Sequence, residues 1–167
     1  TTHADCNYGN QSVTHVGKTE WVNHHIYRGV YWFDLGLLPG ATVLDANLSF
    51  YVQDAVNRAS TTTPVSIQHT YSVHPLLKHW EEGLESNAQV SQAAGVTWNK
   101  AIDNLTGSDY SWSTAGASGT TDRDVAVASV TDSPANLEYN WLDFTNPNLT
   151  DLVQDWVNGN VTNNGLI

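Results

Sequence analysis

The stretch Thr42–Ala55, TVLDANLSFYVQDA, alternates apolar and polar side chains with a period of two. One side carries Leu44, Ala46, Leu48, Phe50 and Val52, and the other carries Asp45, Asn47, Ser49, Tyr51 and Gln53. That period is typical of a β-strand with one face on a core and the other toward solvent. The stretch therefore predicts a half-buried strand of an antiparallel sheet.

Three further stretches favour the same fold class. PVSIQHTYSV (64–73) alternates in a similar way, and DVAVASV (124–130) and YNWLDFT (139–145) are rich in strand-forming residues. In LPGAT (38–42), Pro and Gly indicate a turn. We predict a single domain over residues 1–167, an all-β, antiparallel, jelly-roll-like β-sandwich with long loops.

One short helix is predicted near the C-terminus. Thr145 or Asn146 can cap it, Pro147 suits its first turn, and Gly159 suits its end. Between these positions an apolar stripe with helical spacing is formed by Leu149, Leu152, Val153 and Trp156. We expect this stripe to face the core.

Composition disfavours several classes of partner. The 167 residues include 17 acidic and 6 basic side chains, and the net charge is −11. Phosphate binding needs Lys and Arg, so nucleic acid, anionic polysaccharides and anionic lipid surfaces are disfavoured, whereas divalent cations are favoured. Cys6 is the single cysteine, which excludes an intramolecular disulfide. No apolar stretch is long enough for a membrane span.

Asn-x-Ser/Thr sequons favour an extracellular or cell-surface protein. They occur at Asn10, Asn47, Asn104, Asn148 and Asn160. We take Asn10, Asn104 and Asn160 as the candidate glycosylation sites.

Several motifs stand in the order in which a known family carries them. They are NYGNQSVTHVG (7–17), YRGVYWFDLGLLPGATVLDANLSFYV (27–52), HWEEG (79–83), GVTWN (95–99) and WLDFT…LVQDWVNGNVTNNGL (141–166). With these motifs, over nearly its whole length, the chain resembles the DNRLRE-type domain family, which is related to methanogen disaggregatases. The resemblance implies a jelly-roll-like sandwich of a secreted or surface protein, carbohydrate binding in some members, and no catalysis.

The resemblance has further implications for two acids and for both ends. Asp34 and Asp143 match the Phe-Asp and Asp-x-Thr positions of the family, and we expect hydrogen bonds from backbone there. Family members carry a strand before the Asn-Tyr-Gly motif and strands after Asn-Gly-Leu. Here six residues precede Asn7, and the sequence stops at Ile167. We expect the domain to lack its own terminal strands and neighbouring copies to supply them.

No motif of a catalytic site is visible in the sequence. The seven His residues lack zinc-binding spacing, and there is neither a nucleophile elbow nor a phosphate loop. Glu81 and Glu82 are adjacent, but adjacency alone does not make a glycosidase pair. We predict that the protein is not an enzyme.

Loop acids are candidates for a calcium site. Asp122 and Asp124 lie in TTDRDVA, and Asp109 lies in the polar tract before it. Ca²⁺ takes six or more oxygen ligands, and such loops supply them from carboxylates and carbonyls. The alternative is that these are solvated loop acids.

Aromatic side chains are candidates for a second kind of contact. Alternation places Trp32 away from the core, and Trp21, Tyr110 and Trp112 lie in predicted loops. Exposed flat rings bind sugars or other subunits. The alternative for each is a place in the core, which we expect for Trp80, Trp98 and Trp156 from the resemblance.

Three hypotheses of function follow. The leading one is a non-catalytic subunit of a surface filament, tube or matrix. It would be a homopolymer held by strand exchange, with Ca²⁺ bridging acidic copies. The alternative is a carbohydrate-binding module that binds polysaccharide. The third is a domain of a larger surface protein with its own edge strands missing.

Overall fold

The computed structural model describes Ala4 and residues 6–18, 26–36, 39–53, 68–84, 95–104 and 108–167. Over these residues the chain is predominantly β, as predicted. The strands are β1 (Gly17–Lys18), β2 (Ile26–Tyr27), β3 (Asn47–Val52), β4 (His69–Val73), β5 (Lys100–Ile102), β6 (Tyr110–Ser111), β7 (Ala128–Asp132) and β8 (Asn140–Thr145). The helices are α1 (Pro134–Leu137) and α2 (Pro147–Asn158). Among the described residues, neither helix has the length and apolar character to cross a membrane.

The chain forms two compact units, each assembled from separate stretches of sequence. The first unit comprises Thr1–Trp32, Pro75–Asp124 and Asn164–Ile167, and it contains β1, β2, β5 and β6. The second unit comprises Phe33–His74 and Val125–Asn163. It contains β3, β4, β7, β8 and both helices.

In the second unit, β3 and β8 pair antiparallel over their whole lengths. Leu48, Phe50 and Val52 are half-buried, and Leu142 and Phe144 on β8 are buried. The Phe50 and Phe144 rings pack edge to face, with their centroids 6.2 Å apart. The predicted alternation in β3 is therefore confirmed, and the apolar sides of both strands form one layer.

The strands β4 and β7 form the second antiparallel pair of this unit. Two cross-strand hydroxyl pairs lie on its exposed face, Thr70 with Thr131 and Ser72 with Ser129, each with 2.9 Å between the oxygens. Val73 lies on the opposite face and is buried. The pair thus has one polar and one apolar face, as a half-buried sheet requires.

The predicted C-terminal helix is confirmed as α2. The Asn146 side chain caps its first turn by accepting a hydrogen bond from the Asn148 N–H. Gly159 ends the helix in the left-handed conformation, with φ at 71°, which glycine adopts without steric cost. Leu149 is buried, while the other members of the predicted stripe are half-buried.

Polar side chains dock α2 onto the residues that lead into β3. The Gln154 amide accepts a hydrogen bond from the Val43 N–H and donates one to the Ala41 carbonyl. One turn earlier, the Thr150 hydroxyl accepts a hydrogen bond from the Ala46 N–H. The helix therefore fixes the chain just before the strand begins.

The first unit packs around a small core of four buried side chains. They are Leu76, Ala101, Trp112 and Ala117, with Val30, Trp80, Val96 and Ile167 packed against them. The Trp80 indole N–H donates to the Asn164 carbonyl. The core position expected for Trp80 is thus confirmed.

The segment Gly165–Ile167 is paired on both sides by other parts of the same chain. Leu166 forms antiparallel bridges with Tyr31 and with Pro75. The Leu166 N–H donates to the Tyr31 carbonyl at 2.8 Å, and the Tyr31 N–H donates back at 2.9 Å. Strand exchange with a neighbouring copy stays a prediction.

Candidate functional site

The solvent side of the β3–β8 pair is the candidate functional site, and we name it the aromatic face. It consists of Asn47, Ser49 and Tyr51 on β3 and of Trp141, Asp143 and Thr145 on β8, all exposed. In the register, Asn47 lies opposite Thr145, Ser49 opposite Asp143, and Tyr51 opposite Trp141. Residues two apart on a strand are separated by about 6.8 Å, so the face extends over about 14 Å.

Tyr51 and Trp141 form the aromatic part of this face. Their ring centroids are 5.4 Å apart, and the ring planes meet at 66°. Even in mutual contact, Tyr51 is 53% and Trp141 56% exposed. Because both side chains stand on paired strands, the positions of their Cβ atoms are set by the backbone and not by a loop.

Hydrogen-bonding groups continue the face beyond the rings. Within the described part of the chain, no side-chain hydrogen bond or ion pair involves Ser49, Asp143 or Thr145. The Asn47 amide donates to the Asp45 carboxylate at 2.7 Å. The face thus combines an apolar platform with unpaired hydroxyls and a carboxylate, a combination suited to a ligand with both apolar and hydroxyl-bearing surfaces.

The two acids assigned from the resemblance differ in their surroundings. The Asp34 carboxylate accepts a hydrogen bond from the Gly36 N–H, so its expected contact with turn backbone is confirmed. For Asp143 the same expectation is wrong, since its exposed carboxylate makes no such bond within the described residues. Asp143 is therefore available to a ligand.

The aromatic residues predicted from sequence as sugar or subunit contacts differ in their surroundings. Trp32 is 57% exposed, as alternation predicted, and Tyr110 is about as exposed. The Lys78 ammonium lies 5.3 Å from the centroid of the Tyr110 ring. Trp21 lies outside the described residues.

The prediction of an exposed Trp112 is wrong. Its side chain is 6% exposed and belongs to the core of the first unit. Its indole N–H donates to the Thr97 carbonyl at 3.1 Å, which satisfies the polar atom inside the core. Trp112 therefore has no free ring face for a sugar.

Asp122 is fully buried. The carboxylate accepts hydrogen bonds from the N–H groups of Ser113, Thr114 and Gly119, and the Lys78 ammonium lies 2.9 Å away. Burial raises the pKa of Asp122, but the donors at Ser113, Lys78 and Thr114 outweigh it and hold that pKa far below its usual range. The ionised carboxylate of Asp122 therefore anchors the loop.

The other two predicted calcium ligands, Asp109 and Asp124, do not form a metal-binding group with Asp122 among the described residues. Asp109 pairs with the Lys100 ammonium at 3.0 Å, and this contact lowers the pKa of Asp109. Asp124 is exposed. Among the described residues, no group of three or more His, Cys, Asp or Glu is placed to hold a metal ion. Calcium binding stays a prediction.

The three candidate glycosylation sites are exposed. The Asn160 amide donates to the Asp155 carboxylate at 2.9 Å, and the Asn104 amide lies 3.5 Å from the Ser108 carbonyl. The side chain of Asn10 lies in a turn in which the Gln11 N–H bonds to the Tyr8 carbonyl. Their exposure is compatible with glycosylation, which stays a prediction.

Sequence reasoning missed Tyr51 and Trp141 as site residues. The alternation in Thr42–Ala55 already placed Tyr51 on the polar side, and the same rule applied to YNWLDFT places Trp141 opposite Leu142 and Phe144. The missing information was that β3 pairs with β8, which brings two residues 90 positions apart into contact.

No protein-family model, curated protein or solved structure matches the chain.

Proposed function

We propose that this protein is a non-catalytic carbohydrate-binding module whose ligand lies on the aromatic face. The observation that supports the proposal is the exposed pair Tyr51–Trp141, with 5.4 Å between ring centroids. Beside it, Ser49 and Asp143 offer hydrogen-bonding groups on the same side of the sheet.

The chemistry of sugars fits this combination of groups. A pyranose ring presents an apolar surface of C–H groups and a rim of hydroxyls. Aromatic rings pack against the apolar surface, and hydroxyl and carboxylate groups bind the rim. Because the face is an open sheet surface, a polysaccharide chain suits it better than an enclosed monosaccharide.

The finer fold and the location are part of the same proposal. We place the antiparallel pairs β3–β8 and β4–β7 in a jelly-roll-like β-sandwich, and the protein outside the cell or on its surface. The two-faced strand pairs, the exposed sequons and the resemblance of the motifs support this proposal.

Affinity electrophoresis in gels that contain soluble neutral polysaccharides tests carbohydrate binding. We expect retardation of the wild-type chain, and Tyr51→Ala and Trp141→Ala should each weaken binding by about fivefold to thirtyfold, the cost of removing an aromatic anchor. Trp32→Ala is the matched control, because it removes an indole that is equally exposed, at 57% against 56%.

Two outcomes would contradict the proposal. One is a wild-type chain that no neutral or amino polysaccharide retards. The other is a loss of retardation in Trp32→Ala while Trp141→Ala binds normally, which would place the sugar elsewhere. Trp112→Ala is unsuitable, since removal of a core indole costs about 3–5 kcal/mol of stability.

The second candidate function is a self-assembling structural subunit. Leu44 is 90% exposed, and Leu84 and Val125 are also largely exposed. Aliphatic side chains offer sugars no ring to stack on, whereas contacts between proteins bury them. These three residues therefore favour an interface between copies, with strand exchange as its proposed form.

Light scattering tests the second candidate. The subunit proposal expects polymerisation without a partner, weakening by a chelator because Ca²⁺ would offset the charge of −11 on each copy, and loss of mass in Leu44→Ser. A chain that stays monomeric at high concentration with Ca²⁺ would rule the structural role out.

A further inference from the structure

The net charge of the second unit is more negative than that of the first unit. Its two stretches contain eight acidic side chains and one basic side chain, Arg58, whereas the first unit contains nine acidic and five basic ones. The eight acids are Asp34, Asp45, Asp54, Asp132, Glu138, Asp143, Asp151 and Asp155. The field of this unit therefore favours cationic ligands and repels anionic ones.

The aromatic face places one of these acids beside the rings. Asp143 lies two residues after Trp141 on the same side of β8, which corresponds to about 6.8 Å along the strand. Its carboxylate is exposed and has no side-chain partner among the described residues. A ring stacked on Trp141 would bring its own substituents, or those of the next ring, within reach of this carboxylate.

We propose that the aromatic face binds an amino-sugar polymer with free ammonium groups, and that Asp143 determines this specificity. The inference rests on the proposed carbohydrate-binding function and narrows its ligand class. An ammonium group pairs with the Asp143 carboxylate, and the electron-rich face of the Trp141 indole attracts the same cation.

Other sugar classes fit the face less well. The carboxylate of a uronic acid would meet Asp143 and Asp45, and the six side chains of the face include no Lys or Arg to compensate for the repulsion. A neutral sugar can donate hydroxyl hydrogen bonds to Asp143, so it binds, but without the attraction between opposite charges.

Titration calorimetry with two oligosaccharides of equal length tests the inference. The probes are a chitosan oligosaccharide, which carries ammonium groups, and its N-acetylated counterpart, which carries none. We expect the wild-type chain to bind the chitosan probe about fivefold more tightly, which corresponds to one exposed ion pair. High salt should remove this preference and leave binding of the N-acetylated probe unchanged.

Variants separate the site from the overall charge. Asp143→Asn should lose the preference and keep its affinity for the N-acetylated probe, whereas Trp141→Ala should lose affinity for both. Asp151→Asn is the matched control: it removes one charge from the same unit at an exposed position on α2 and should keep the preference.

Four outcomes would overturn the inference. Equal affinity of the wild-type chain for both probes would leave a carbohydrate-binding module without the proposed specificity. An equal loss of preference in Asp151→Asn and Asp143→Asn would assign it to net charge and not to the face. Failure to bind either probe, or any neutral polysaccharide, would remove the underlying function as well. A drop in molecular mass of Trp141→Ala, with no sugar bound by the wild-type chain, would show that a second copy covers the face.

Discussion

Replacing Asp122 by asparagine is expected to destabilise the first unit strongly, because the substitution keeps the shape of the side chain and changes its hydrogen bonding. Oδ1 accepts hydrogen bonds from the Ser113 N–H and the Lys78 ammonium, at 2.7 and 2.9 Å. Oδ2 accepts them from the N–H groups of Thr114 and Gly119, at 2.9 and 3.1 Å. An asparagine amide has one acceptor oxygen, so in either orientation its NH2 group faces two donors.

The structure gives the size of the effect. Two hydrogen bonds to a charged group are lost, and such bonds contribute about 1.5–3 kcal/mol each. Removing one partner of a buried ion pair costs about 3–5 kcal/mol, which is a similar range. Because Asp122 is fully buried, water does not replace the missing acceptor. For a chain of this length, a loss of about 4 kcal/mol lowers the Tm by about 10 °C.

Thermal unfolding followed by tryptophan fluorescence measures this shift, since Trp80 and Trp112 lie in the same unit. Asp143→Asn is the control, because it makes the same chemical change at an exposed carboxylate and should alter stability by less than about 0.5 kcal/mol. Equal shifts in both variants would refute the reasoning. So would a Tm of the wild-type chain that rises with Ca²⁺ and loses this rise in Asp122→Asn, since Asp122 would then be a metal ligand.

Further predictions concern the same anchors and the helix. The pKa of Asp122 lies far below the ordinary value of about 3.9 that it takes on unfolding, so protonation favours the unfolded chain. The contribution of Asp122 to stability should be complete above about pH 5 and should fall progressively below about pH 4, and acid titration of the Tm should show a smaller loss in Asp122→Asn. In a urea titration, Gly165→Ala should lower the free energy of unfolding by about 1–3 kcal/mol or more, because φ is 83° and the new Cβ would collide with the Tyr31 carbonyl. Gly36→Ala, where φ is 55° and the space is open, should cost only about 1 kcal/mol in the same urea titration. Asn146→Ala should cost about 1 kcal/mol by removing the N-cap of α2, and a loss near zero in urea would show that the cap contributes nothing.

Patterns that depend on near neighbours predicted local structure correctly. Alternation assigned Ser49 and Tyr51 to the solvent side of β3 and Phe50 to the core side, because successive side chains of a strand point to opposite faces. The same pattern failed at Leu44, which precedes the observed strand and is exposed. Cap and stop residues located α2, because these signals act within one turn of the helix.

Structural features that depend on residues far away in the sequence could not be predicted in this way. Trp112 lies in a tract whose composition indicates a loop, yet it is buried because the Thr97 carbonyl and the core residue Leu76 meet it. The acidic loop makes Asp122 a candidate calcium ligand, with a solvated loop acid as the alternative. Its cation is Lys78, which is 44 positions away, and no local pattern indicates that pairing.

The aromatic face follows from register, and register follows from the apolar pattern of β8. A slip of one residue would turn Leu142 and Phe144 to solvent and bury Asp143, so burial of the apolar side fixes the pairing. That pairing places Tyr51 and Trp141 opposite each other on the outer side. Neither ring lies in the core, and the contact between them stabilises the strand pair by about 0.2–1 kcal/mol, as cross-strand aromatic pairs do. Each ring still leaves about half of its surface in water, and this exposed aromatic surface is what the proposed carbohydrate ligand would cover.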